Sequence, residues 1–154
     1  MKQLNRPTIM LLLCAGIAFP LPNMLWAATC TVTAQPIAYG NYNPFSTSPL
    51  NRTGRITVIC NGKGTLTAVL SSGQSGSYNP RYMTSGTTSD QLNYNLYTTA
   101  ARVIIFGDGT GGTQTVSRNF KNNTVRIRIY GQIPALENIV PGSYTDSIFA
   151  TVTF

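Results

Sequence analysis

Histidine is absent from these 154 residues, and aspartate and glutamate together number four: Asp90, Asp108, Glu137 and Asp146. These shortages exclude most acid–base chemistry. A hydroxyl nucleophile needs an activating base, and without histidine only Lys63 or Lys121 could serve beside the few acids. Asp108 and Asp146 could form a glycosidase-like carboxylate pair, but nothing in the sequence brings them together, so they read as turn and corner residues. Metal donors are equally scarce, because Cys30 and Cys60, the two cysteines beyond the N-terminal apolar run that holds Cys14, make a poor zinc site without histidine. The loop Gly107-Asp108-Gly109-Thr110-Gly111-Gly112 lacks the helix and lysine of a phosphate cradle and the regularly spaced oxygens of a calcium loop. It reads as a hairpin turn. The chain is expected to be no enzyme and to carry no cofactor and no metal.

Long apolar runs are also missing. The one at Ile9 to Phe19 is roughly 11 residues, about half of what a bilayer-spanning helix requires, and no later segment approaches that length. It follows Lys2 and Arg6 and precedes Pro20 and Pro22, the order of a signal peptide. Residues 1–27 are expected to be removed after Ala27, with Ala28 as the alternative, leaving 28–154 as one domain without a transmembrane segment. Cys14 leaves with the leader, so Cys30 and Cys60 remain as an even pair in an oxidising compartment, the setting for a disulfide. The mature charge is nine lysines and arginines against four acids, or 9 − 4 = +5. These cations are scattered without a basic run, so they read as solvated strand faces, and no nucleic-acid partner is expected.

What remains has the texture of an all-β sandwich or barrel: short β-branched runs punctuated by glycine, asparagine and proline, with no helical periodicity. Strands are expected at Cys30–Ala34, Gly54–Cys60 and Leu66–Leu70, the last two joined by a turn at Asn61-Gly62. The stretch Ser71 to Asp90 reads as loop. Gln91–Tyr97 alternates, with Leu92, Tyr94 and Leu96 on one face and Asn93 and Asn95 on the other. Val103–Phe106 reads as a short strand. Val125–Tyr130 places Val125, Ile127 and Ile129 inward and Arg126 and Arg128 toward solvent or a partner. Ser147–Phe154 closes the chain with Ile148, Ala150, Val152 and Phe154 on one face. Tyr39, Tyr42 and Phe45, with Tyr78 and Tyr82, read as core and corner packing, or alternatively as an exposed sugar-stacking surface.

Several of these segments, in order, resemble one family across nearly the whole mature chain. They are the early Cys30, Tyr39-Gly40-Asn41-Tyr42-Asn43-Pro44, Gly54-x-Ile56-x-Val58-x-Cys60, Arg81-Tyr82-Met83, Leu92-x-Tyr94-x-Leu96-Tyr97, Phe106-Gly107-Asp108-Gly109, and Pro141-Gly142-x-Tyr144-x-Asp146 through Val152-Thr153-Phe154. The family is the spore coat protein U domain, which includes secreted coat proteins and subunits of archaic chaperone–usher pili. The resemblance implies an immunoglobulin-like β-sandwich lacking its last strand. It also implies a groove filled first by a periplasmic chaperone and then by a neighbouring subunit through donor-strand complementation, with an outer-membrane usher exporting the product to the cell surface for adhesion and biofilm formation. Val32, Ile148, Ala150, Val152 and Phe154 are expected to border that groove. Processing after Ala27 would leave only Ala28 and Thr29 before Cys30, little strand to donate, which suits a fibre tip. The alternatives are a self-sufficient secreted coat or matrix protein and a carbohydrate-binding envelope protein.

Overall fold

The computed structural model describes residues 28–154; the expected signal peptide, its cut site and Cys14 lie outside the described residues. Among the described residues nine strands form two sheets. They are β1 (Thr29–Gln35), β2 (Leu50–Asn61), β3 (Lys63–Leu70), β4 (Arg81–Ser85), β5 (Gln91–Tyr97), β6 (Val116–Lys121), β7 (Thr124–Ile133), β8 (Tyr144–Thr145) and β9 (Ala150–Thr153), with one short 3-10 turn at Gly73–Ser75. The larger sheet has the order β1-β2-β7-β5-β4-β8 and the smaller β6-β3-β9, with every ladder antiparallel. This is an all-β sandwich.

Alternation builds the core. Ile56, Val58 and Cys60 of β2, Ile127, Ile129 and Ile133 of β7, and Leu92, Tyr94 and Leu96 of β5 are buried, and Leu66, Ala68 and Leu70 of β3 with Val116 and Phe120 of β6 are buried from the smaller sheet. Phe106, on the loop after β5, is fully buried among them. The hairpin turns at Gly62 and Asn122 lock together, since Asn122 N donates to the Gly62 carbonyl at 2.7 Å and Gly62 N donates to the Asn122 side chain. The Cys30–Cys60 disulfide joins directly opposed residues and ties edge strand β1 to β2.

Three expectations are corrected. The stretch Ser71 to Asp90, read as loop, contains β4, whose inward row is Arg81, Met83 and Ser85, so an arginine interrupts the apolar pattern. The sequence hides β6 for the same reason, since Arg118 sits between Val116 and Phe120 on one face. Val103–Phe106, read as a strand, forms only isolated bridges at Ile105 and Phe106, and Val103 is exposed. Asn95, placed on the solvent face, is buried because Tyr78 and Asn79 cover it and accept from its amide.

Arg81 explains how so polar a stretch becomes core. Its fully buried guanidinium donates to the carbonyls of Ser71 (2.9 Å) and Phe106 (2.8 Å) and to Oδ1 of Asn95 (2.8 Å), and it lies 4.9 Å over the Tyr78 ring. Burial pulls its pKa down, while nearby Tyr94, Tyr78 and Asp146 act the other way. A buried cation is tolerable only when its donors are satisfied, and here they join four separate segments.

Candidate functional site

Cross-strand partners in an antiparallel ladder point to the same face, so the register tells which edge residues look inward. On β1, Val32 opposes Val58 and Ala34 opposes Ile56. Both β2 residues are fully buried, yet Val32 is 42 % exposed. On β9, Ala150 opposes Leu70 and Val152 opposes Ala68. Again the β3 partners are buried, while Ala150 is exposed and Val152 half-buried. Among the described residues β1 and β9 are each the last strand of their sheet, so each also presents an unpaired backbone edge there.

Where these edges end lies an apolar groove of about 1330 Å³, which takes Ala34 and Gln35 from β1 and Ala150 from β9. Ala34–Tyr42 forms one wall and Ile139–Ala150 the other, above a floor that includes Ile56, Leu70, Leu92, Ile129 and Ile133. Of the five residues expected to border a groove, Ile148 and Ala150 line it. Val32 and Val152 lie on the flanking strands with their partners' inward faces, and Phe154 is exposed just past the end of β9.

The wall from Pro36 to Tyr39 adds to the residues expected at the groove. Two glycines make its course possible. A Cβ on Gly54 would stand 2.7 Å from Ile37, and one on Gly131 would run into the Tyr39 hydroxyl, so the wall crosses where the sheet has no side chains. Tyr39 packs edge-on against Tyr94, with ring centroids 6.1 Å apart, and its buried hydroxyl has no hydrogen-bond partner among the described residues. Burial, aided by neighbouring Tyr97, pushes the Tyr39 pKa far above the ordinary phenol value. The signal was present in the alternation Ile37-Ala38-Tyr39, obscured by the aromatic residues that follow.

The five aromatic candidates do not make one surface. Tyr39 lies in the groove wall. Tyr42 donates to the Pro134 carbonyl at 2.8 Å and accepts from Glu137 N at 2.8 Å, pinning the segment after β7. Tyr78 lies beneath Arg81, and the hydroxyl of Tyr82 contacts the Gln74 carbonyl. Phe45 alone is largely free, 86 % exposed.

The carboxylates have structural partners. Asp146 accepts from the Tyr94 hydroxyl at 2.6 Å and from the amides of Gln74 and Ser147; that carboxylate and, more strongly, burial raise the Tyr94 pKa. Asp108 accepts from the amide and hydroxyl of Thr110, which hold its pKa below the usual value. Among the described residues no three histidine, cysteine or acidic side chains gather as a metal site would require, and no helix is long and apolar enough to cross a membrane.

Known proteins resemble this chain in fold or in sequence. A chain in the solved CsuC–CsuE chaperone–tip adhesion subunit pre-assembly complex, from archaic chaperone-usher Csu pili of Acinetobacter baumannii, has the same fold. Its TM-score is 0.62 at 19% identity, over 83% of this chain and 40% of that one, so the present chain spans less than half the solved chain's length. Protein U of Myxococcus xanthus is 27% identical over 128 residues, 75% of this chain and 70% of its own. The Spore Coat Protein U domain model matches residues 19–151. With that match running through both sheets and the groove between them, the chain belongs to the Spore Coat Protein U domain family.

Proposed function

We propose that this protein is a structural, non-catalytic subunit of a chaperone–usher surface pilus, and that its groove receives a β-strand from another chain. The carrying observation is the pair of edges whose inward residues are uncovered while their ladder partners are buried. An extended strand laid between β1 and β9 would meet unpaired backbone on both sides and set alternate apolar side chains onto the groove floor, the physics of β-augmentation. A periplasmic chaperone supplies that strand first and a neighbouring subunit replaces it at the outer-membrane usher. The fibre then stands on the cell surface in adhesion and biofilm formation. The fold shared with a chain from a chaperone–tip adhesion subunit complex supports this reading. Tip placement follows if processing leaves Ala28 and Thr29 ahead of Cys30.

A photo-crosslinking residue at Ala150, which lines the groove, should capture a co-expressed pilus chaperone in the periplasm, whereas one at Thr57, on the outer face of β2, should not. A monomer secreted intact with no crosslink from Ala150 would instead favour a self-sufficient coat or matrix protein. One observation speaks for that second reading: the Ile37–Tyr39 crossing already packs against part of the sheet that a donor strand would cover.

A further inference from the structure

Four arginines from three strands line one concavity. Arg55 of β2, Arg118 of β6, and Arg126 and Arg128 of β7 line a cleft of about 440 Å³, together with Thr98 and Tyr130. The cleft opens where β7 runs out of ladder, since β5 pairs only with Tyr130, Gly131 and Gln132. Register sets Arg55 directly opposite Arg128, and like charges so placed repel each other. Arg102, 5.9 Å over the Tyr130 ring, adds a fifth guanidinium beside the cleft.

No carboxylate lines this cleft. The four acids are engaged elsewhere: Asp146 with Tyr94, Glu137 with Asn93, Asp108 with Thr110 and Asp90 with Thr88. Fold stability gives no reason to gather cations around a concavity and keep every anion away, because their repulsion opposes folding. A bound anion would remove that repulsion. Guanidinium forks match carboxylate and phosphate oxygens two at a time.

We propose that this cleft binds an acidic polysaccharide, gripping carboxylate or phosphate groups on its sugars. The shape favours a glycan over duplex nucleic acid. A duplex spreads its phosphates along the helix and is met by a basic stripe, whereas a few hundred Å³ with convergent polar groups and one aromatic ring suits one or two sugar rings. The proposal is independent of the groove between β1 and β9.

The test uses the exported full chain, with immobilised polyuronate, neutral dextran and duplex DNA as probes at about 150 mM salt. Polyuronate should be retained and dextran should not. Arg126→Gln with Arg128→Gln should weaken retention by about tenfold or more. The charge-matched pair Arg52→Gln with Lys63→Gln, outside the cleft, should change it by less than about twofold. Arg126→Lys with Arg128→Lys keeps the charge but loses the fork and should fall between. Arg128→Gln alone should also raise the thermal midpoint, which separates lost binding from lost folding. The proposal is overturned by equal loss in the two glutamine pairs, by no retention of polyuronate, by a lowered midpoint, or by duplex binding at least as tight with the same arginine dependence. That last outcome would assign the cleft to nucleic acid.

Discussion

Val58 and Val32 are neighbours in one ladder and face the same way, yet one is sealed and the other 42 % exposed. The same contrast separates Leu70 from Ala150 across the other sheet. Residue type does not account for it, because the first pair is valine with valine. What differs is cover. The middle of the sandwich has a second sheet above it, whereas the edges at β1 and β9 look across a groove. Full burial of a valine stabilises by roughly 1.5–3 kcal/mol, so each partly exposed inward residue leaves a share of that unused. A strand from elsewhere would recover it.

The largest expected effect comes from cutting the tie between the two regions. Replacing Cys30 and Cys60 together by serine opens a loop of about 30 residues and should cost about 3–4 kcal/mol in denaturant unfolding. β1 should be the first strand to lose amide-exchange protection. If β1 stays as protected as β2, the edge is held by more than the disulfide and the contrast is weaker than the exposures suggest.

A smaller effect sharpens the comparison directly. Val58→Ala should cost about 2 kcal/mol, since it leaves a cavity in a closed core, whereas Val32→Ala in the isolated protein should cost less than about 1 kcal/mol. Equal losses at the two positions would mean that Val32 is already covered in solution.

Much of this was legible in the sequence. Strands with clean alternation, Gly54–Cys60, Gln91–Tyr97 and Val125–Tyr130, stand where their periodicity placed them because each has one apolar face on the core. Strands with an arginine in the inward row, Arg81 in β4 and Arg118 in β6, were hidden, because their fit depends on distant carbonyls or on an open edge. The groove was legible only in part. Alternation marked Ile148 and Ala150, but the wall at Ile37 and Tyr39 depends on glycines more than a dozen residues away. The arginine cleft was legible only in part: alternation puts Arg126 and Arg128 on one face toward solvent or a partner, whereas Arg55 and Arg118 join them only through ladder register and the turn from β6 to β7.

The most direct test is to append an alternating apolar strand after Phe154 through a flexible linker and follow thermal unfolding and amide exchange. An incomplete sandwich predicts a midpoint raised by about 10 °C, with new protection along β1 and β9. An unchanged midpoint, with both edges exchanging as before, would contradict the claim that the groove awaits a strand.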